Sequence, residues 1–206
     1  MSSIKRLITH GCSYTYGEEL DDPFTQSWPA MLSKQLGTEL VNLAQCAYSN
    51  DGIVQDIVTF DLREGDFVIV CWTHNHRLLF VDDDGWFTTL PNFVADGDFE
   101  KNRELITTLL LTNISNDWLY ERWLTQVILL QTYLKNKNIP FLFFNAFGNV
   151  LGKHKLIDSI DKSKFMEWDT FNFCIFSNDY PLCPKLHPNA DAHSALADKL
   201  IKNILL

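Results

Sequence analysis

Apolar runs and amphipathic stretches alternate along the first third of the chain. Residues 4–9 form an apolar run entered from Lys5 and Arg6 and predict a buried strand. Residues 39–43 predict a second strand. Phe67-Val68-Ile69-Val70-Cys71-Trp72 predicts a third, apolar on both faces as parallel strands are. Between the first two, Ser27-Trp28-Pro29 predicts a helix start, with Ser27 as cap and Pro29 in the first turn, and Gly37 ends it. Ile53, Ile57, Val58 and Phe60 keep helical spacing up to Arg63, where Glu64-Gly65-Asp66 breaks it. Strand, helix, strand, helix, strand predicts a parallel α/β sheet with helices on its faces.

The middle of the chain has a different rhythm. Residues 78–81 and 86–90 flank Asp82-Asp83-Asp84-Gly85 and predict a hairpin with an Asp-Gly turn. Residues 105–112 and 118–136 predict helices, the second long and amphipathic. Residues 140–145 predict a fourth strand, 148–183 mostly loop with a short helix, and 189–206 a final amphipathic helix. No repeat, low-complexity tract or linker interrupts the 206 residues, so one domain is expected. The stretch 78–123 is expected to be an insertion or cap over one end of the sheet.

Composition narrows the partners. Seventeen basic against twenty-six acidic residues leave a net charge of −9, with no Lys/Arg cluster. A polyanion binder needs a basic face, so nucleic acid and anionic membrane are not expected partners. No apolar run reaches the roughly 18 residues of a membrane helix. Five cysteines without a CxxC, and an N-terminus lacking an apolar signal core, predict reduced thiols in a cytoplasmic protein.

Open α/β sheets gather their ligand sites at the carboxyl ends of the strands. Gly11-Cys12-Ser13 follows the first strand, 42–51 the second, and Trp72-Thr73-His74-Asn75-His76-Arg77 the third. Leu186-His187-Pro188-Asn189 precedes the last helix. A serine, hydrogen-bond donors and a histidine at one edge are the raw material of acyl transfer. Thr15 stands where a G-x-S-x-G elbow has its second glycine, so an α/β-hydrolase is not expected. His74 and His76 invite a metal reading, but two imidazoles without a carboxylate motif do not make a site, and no metal or cofactor is expected. Pro188 at the helix start would place His187 near a helix N-terminus, which favours the neutral imidazole. His193, inside the helix, is expected to pack or face solvent.

Taken together, these segments resemble the SGNH (GDSL-like) hydrolases. Residues 8–17 are similar to the G-D-S-x-T-x-G block, with Cys12 in place of its Asp. The family's nucleophile falls on Ser13. Residues 42–50 resemble the N-x-x-x-x-G-x-S/T block, with Ala47 in the glycine slot. Trp72-Thr73-His74-Asn75 stands where G-x-N-D is usual, with His74 in the Asn slot and Asn75 one place on. Residues 184–189 match D-x-x-H-P at His187 and Pro188, with Pro184 replacing the Asp.

The resemblance implies a three-layer α/β/α sandwich with a mainly parallel, flavodoxin-like sheet. It implies a serine esterase or acylhydrolase acting on a small acyl ester, such as an acetylated carbohydrate, through Ser13 and His187. The amides of Ser13 and Ala47, with Asn50, His74 or Asn75, are the expected oxyanion and substrate-binding groups. Asp179 is the nearest carboxylate able to replace the missing Asp. A backbone carbonyl of Cys183 or Pro184 is the alternative. Two other functions stay open: an acyltransferase using the same residues, and a non-catalytic binding module on an altered scaffold.

Overall fold

The computed structural model describes residues 4–82, 85–88, 108, 114–150 and 152–205. Four strands form one sheet. β1 (Arg6–His10), β2 (Glu39–Asn42), β3 (Asp66–Trp72) and β6 (Phe141–Asn145) lie in the order β2-β1-β3-β6. All three pairings are parallel, with Leu7 opposite both Leu40 and Phe67, and Val70 opposite Phe143. Single parallel bridges from Phe143 to Phe165 and from Asn145 to Asn172 cover the outer edge of β6. β4 (Leu79–Asp82) and β5 (Gly85–Thr88) pair antiparallel, as the hairpin pattern predicts.

The side-chain alternation of the strands sorts the core into two layers. Ile8, Val68, Val70 and Phe143 point to one face. There they pack with Ile53 and Ile57 of α4 (Asn50–Thr59) and with Trp123, Val127 and Leu130 of α5 (Asn116–Asn136). Leu7, Ile69, Cys71 and Phe144 point to the other face. They meet Trp28 and Leu32 of α3 (Trp28–Leu36) and Leu196 and Leu200 of α7 (Ala190–Leu205). The result is the expected three-layer α/β/α sandwich. Two short helices, α1 (Ser13–Tyr16) and α2 (Pro23–Gln26), lie between β1 and α3, and α6 (Phe173–Ser177) precedes α7. Among the described residues no helix is long and apolar enough to cross a membrane.

Some boundaries differ from expectation for physical reasons. Ser27 occupies the N-cap position of α3, but its side chain makes no cap bond. Instead His193 Nδ1 of α7 accepts from the amide of Trp28 at 3.1 Å. α7 starts at Ala190, with Asn189 Oδ1 accepting from the amide of Ala192 at 3.0 Å. Pro188 therefore precedes the helix; it pairs with Leu182 in a bridge. But for residue 108, the predicted helix over 105–112 lies outside the described residues.

Candidate active site

Because the sheet is parallel, His10, Asn42, Trp72 and Asn145 end their strands at one edge. The loops leaving that edge build the candidate site. β1 turns into α1 across Gly11, where a Cβ would collide with Thr15 Oγ1 and come within 2.9 Å of the Cys71 carbonyl oxygen. Only glycine permits this close approach. Ser13 opens α1 and is only 5% exposed, and neither its hydroxyl nor its amide bonds a described residue. Behind the turn, Gly11 N–H donates to His10 Nδ1 at 2.9 Å, which leaves the ring proton on Nε2, 3.0 Å from Asp56 Oδ2. The same ring stacks on Tyr48 at 5.5 Å, so β1 is tied to the second loop.

In that second loop Asn42 Oδ1 accepts from Thr9 Oγ1 at 3.0 Å and from the amide of Ala44 at 3.2 Å. Ala47 has φ 62, the left-handed conformation its glycine slot demands, and its amide donates to no described acceptor. Asn50 bridges two loops. Its Nδ2 donates to the carbonyl of Thr73 and its Oδ1 accepts from the amide of Thr73, both at 3.0 Å. Asn50 thus fastens the second loop to the third, with one N–H of its amide group engaged in doing so. Asn75 differs: it is 3% exposed and its Nδ2 has no acceptor. His74 Nδ1 accepts from the amide of His76 at 3.2 Å, which places its proton on Nε2. Burial, with the charges of His76 and Arg77, pushes the pKa of His74 down to about 4. It is therefore a neutral ring with one proton to donate.

The turn carrying His187 is closed by Leu186 N–H to the carbonyl of Cys183 at 2.8 Å and Cys183 N–H to the carbonyl of His187 at 2.9 Å. Asp179 makes no hydrogen bond or ion pair with His187. Glu19 does. Its Oε2 lies 2.8 Å from His187 Nδ1 and accepts from the amide of His187 at 3.3 Å, and its Oε1 accepts from the amide of Lys185 at 2.7 Å. Burial alone would push the Glu19 carboxyl up. The bonds from His187 and Lys185 outweigh it and hold the carboxyl below its ordinary range. On the other side of the ring, Nε2 lies 3.4 Å from Glu18 Oε2. Tyr14, next to Ser13, brings its ring to 5.7 Å from His187.

Glu19 escaped the sequence reading because it lies 168 residues from His187. The available signal was a pair of carboxylates directly after the Gly17 that ends α1. Three of the five described non-glycine residues with positive φ are Glu19, Ala47 and Leu186, all in this site. Such strain persists only where the surroundings impose it, and it gathers at functional sites.

A family model described as "Family of unknown function (DUF6071)" matches residues 18–204. The chain belongs to that family. Comparison of this DUF6071 protein with curated protein sequences finds no match. Solved structures are similar in fold. One, from Desulfitobacterium hafniense, is described as a lipolytic protein of the G-D-S-L family; it aligns over 97% of this chain and 99% of its own at 13% identity, with a TM-score of 0.54. The psychrotrophic esterase EstA from Pseudoalteromonas aligns over 97% and 96% at 12% identity and 0.54. A carbohydrate esterase family 2 enzyme of Corynascus thermopiles, with its carbohydrate-binding domain, aligns over 98% of this chain and 67% of its own at 12% and 0.55. The DUF6071 protein thus has the SGNH-hydrolase fold.

Proposed function

We propose that this protein hydrolyses small acyl esters through an acyl-enzyme, with Ser13 as nucleophile, His187 as base and Glu19 as the carboxylate that orients it. The observation that carries the reading is the 2.8 Å contact between His187 Nδ1 and a Glu19 carboxylate that is itself held by two amides. Glu19 fixes the proton on Nδ1 and leaves Nε2 as the basic nitrogen. Ser13 Oγ attacks the acyl carbon as its proton passes to Nε2. The alkoxide leaving group then takes that proton, and water hydrolyses the acyl-serine by the reverse relay. The amides of Ser13 and Ala47 and the Nδ2 of Asn75 supply donors to the developing oxyanion, with His74 Nε2–H as a further donor in the cleft. The fold is shared with esterases, which supports the chemistry without assigning the ester.

The test is turnover of p-nitrophenyl acetate by the wild type, Ser13→Ala, His187→Ala and Glu19→Gln. Wild-type turnover that falls to background in the first two variants establishes the serine mechanism. Turnover unchanged in Ser13→Ala refutes it.

A second reading rests on one specific contact. His187 Nε2 faces Glu18 at 3.4 Å, and Ser13 Oγ has no bond to it. A binding module would keep that arrangement. An esterase instead requires Glu18 to leave that position, so that Ser13 Oγ can reach Nε2. A fluorophosphonate probe separates the readings: an activated Ser13 is labelled in the wild type and not in Ser13→Ala, whereas a binding module is labelled in neither.

A further inference from the structure

The loop after β3 carries a cation that the mechanism leaves unused. Arg77 Cζ lies over the Phe147 ring, 5.7 Å from its centroid. One hydrogen bond holds the guanidinium, from Nη1 to the carbonyl of Tyr48 at 3.2 Å. Nε is buried and has no acceptor. Arg77 makes no ion pair with any described carboxylate; Glu18 lies at His187 and Asp51 pairs with Arg122. A half-buried cation without a counter-ion is costly, so such groups are normally paired.

The position of this charge matters. The Phe147 ring beneath it also touches Tyr14 at 5.0 Å and His74 at 5.9 Å. Tyr14 follows Ser13, and the Tyr48 carbonyl that Arg77 holds follows Ala47. The guanidinium is thus bonded to the residue after Ala47 and reaches, through Phe147, the ring of the residue after Ser13. In keeping with this, its charge opposes ionisation of His74 and favours the anionic forms of Tyr14 and Cys46.

A guanidinium fork matches a carboxylate in two parallel hydrogen bonds. One guanidinium balances one charge, which suits a monoanionic carboxylate better than a dianion such as a phosphate monoester. We propose that Arg77 is the specificity residue of the cleft and that the preferred substrate is an ester whose acyl chain ends in a carboxylate, recognised by that guanidinium. This rests on the esterase reading above for its chemistry, but not for its binding.

The experiment compares the full-length wild type, Arg77→Gln and Arg77→Lys on two esters of equal acyl length. These are p-nitrophenyl hydrogen adipate, which carries the carboxylate, and neutral p-nitrophenyl hexanoate. In the wild type kcat/KM favours the adipate. The adipate-to-hexanoate ratio is expected to fall about 10–100-fold in Arg77→Gln, the range for one charge-assisted pair. Arg77→Lys keeps the charge without the fork and should fall between. Equal loss on both esters overturns the proposal, because it places Arg77 on the oxyanion or in the scaffold. A second arm measures monomethyl adipate binding by calorimetry to wild type and Arg77→Gln, both checked for folding by circular dichroism. If neither ester turns over, the esterase reading fails, while binding that weakens in folded Arg77→Gln still supports carboxylate recognition. No binding, or equal binding by both proteins, overturns it.

Discussion

Glu19 shows how far a single side chain can be from its partner in sequence and still define a site. It takes three hydrogen bonds from the segment that presents His187, and nothing along the chain between them announces the pairing. Asp179 is the nearest carboxylate upstream of His187, and the D-x-x-H-P block that residues 184–189 resemble carries its Asp on the same loop as its His. Here Pro184 vacates that slot and the carboxylate comes from the turn after α1. The candidate nucleophile Ser13 and candidate base His187 are legible in the sequence, since each sits in a block whose neighbours are also recognisable. Glu19→Gln is expected to lower kcat about 10²–10⁴-fold, because the amide no longer fixes the Nδ1 proton or stabilises the imidazolium. Asp179→Asn should leave kcat within about twofold, on the same reasoning that it touches no reacting group. Stopped-flow or steady-state assays of the two variants decide this, and equal losses would return Asp179 to the site. Ala47 carries a different prediction. Left-handed backbone costs alanine about 1–2 kcal/mol, and glycine's freer unfolded chain offsets about 0.4–1 kcal/mol of any gain. Ala47→Gly should therefore raise the melting temperature by roughly 1–4 °C. A lower melting temperature would show that the alanine methyl packs usefully against the loop.

At the level of elements, legibility followed the length and the periodicity of the pattern. β3 is buried over most of its length and was plain from Phe67 to Trp72. α5 and α7 were plain as long amphipathic stretches. The four-residue helices α1 and α2 and the two 3₁₀ turns at Lys155–Ser159 and Lys162–Lys164 were not, because one turn of helix has no period to read. The start of the sheet holds a feature that pattern reading also passes over. Arg6 and Asp66 stand directly opposite each other where β1 and β3 begin. Arg6 Nε and Nη2 donate to the two carboxylate oxygens of Asp66 at 2.8 and 2.7 Å, and both residues are buried. The Arg63 amide adds a bond to Asp66 at 2.9 Å. These bonds outweigh the effect of burial and hold the Asp66 carboxyl below its ordinary range. Asp66→Asn leaves a buried guanidinium without its charge partner, which is expected to cost about 3–5 kcal/mol. Urea unfolding measures this as a lower midpoint at unchanged slope. A loss under about 1 kcal/mol would mean that water reaches Arg6 and replaces the carboxylate.

For the molecule as a whole, the groups that tie layers together also set its response to acid. His193 of α7 is buried against Phe173 and accepts the first amide of α3, so it joins two helices on one face of the sheet. Burial, with the nearby His187, pushes its pKa down to about 3. In the unfolded chain a histidine titrates at about pH 6.5. The unfolded state therefore binds the proton first, and stability must fall as pH drops below about 6.5. The slope from this one residue approaches about 1.4 kcal/mol per pH unit until His193 itself protonates. Glu19, Asp56 and Asp66 have folded pKa values below their unfolded ones. Their stabilisation is complete above the ordinary carboxylate range and is lost as pH falls through their own lowered values, so their effect has the same sign but begins later. Acid unfolding should accordingly proceed in two stages, with a shallow loss from about pH 6.5 and a steeper one below about pH 4. Urea midpoints at pH 7.5, 6.0 and 5.0 isolate the first stage. In His193→Gln, where an amide oxygen can still accept from Trp28 without titrating, the fall between pH 6 and 5 should shrink by about 1 kcal/mol. A wild-type midpoint that does not move between pH 7.5 and 5.0 would show that His193 is solvated when folded, and that α3 and α7 are joined less closely than the Trp28–His193 bond implies.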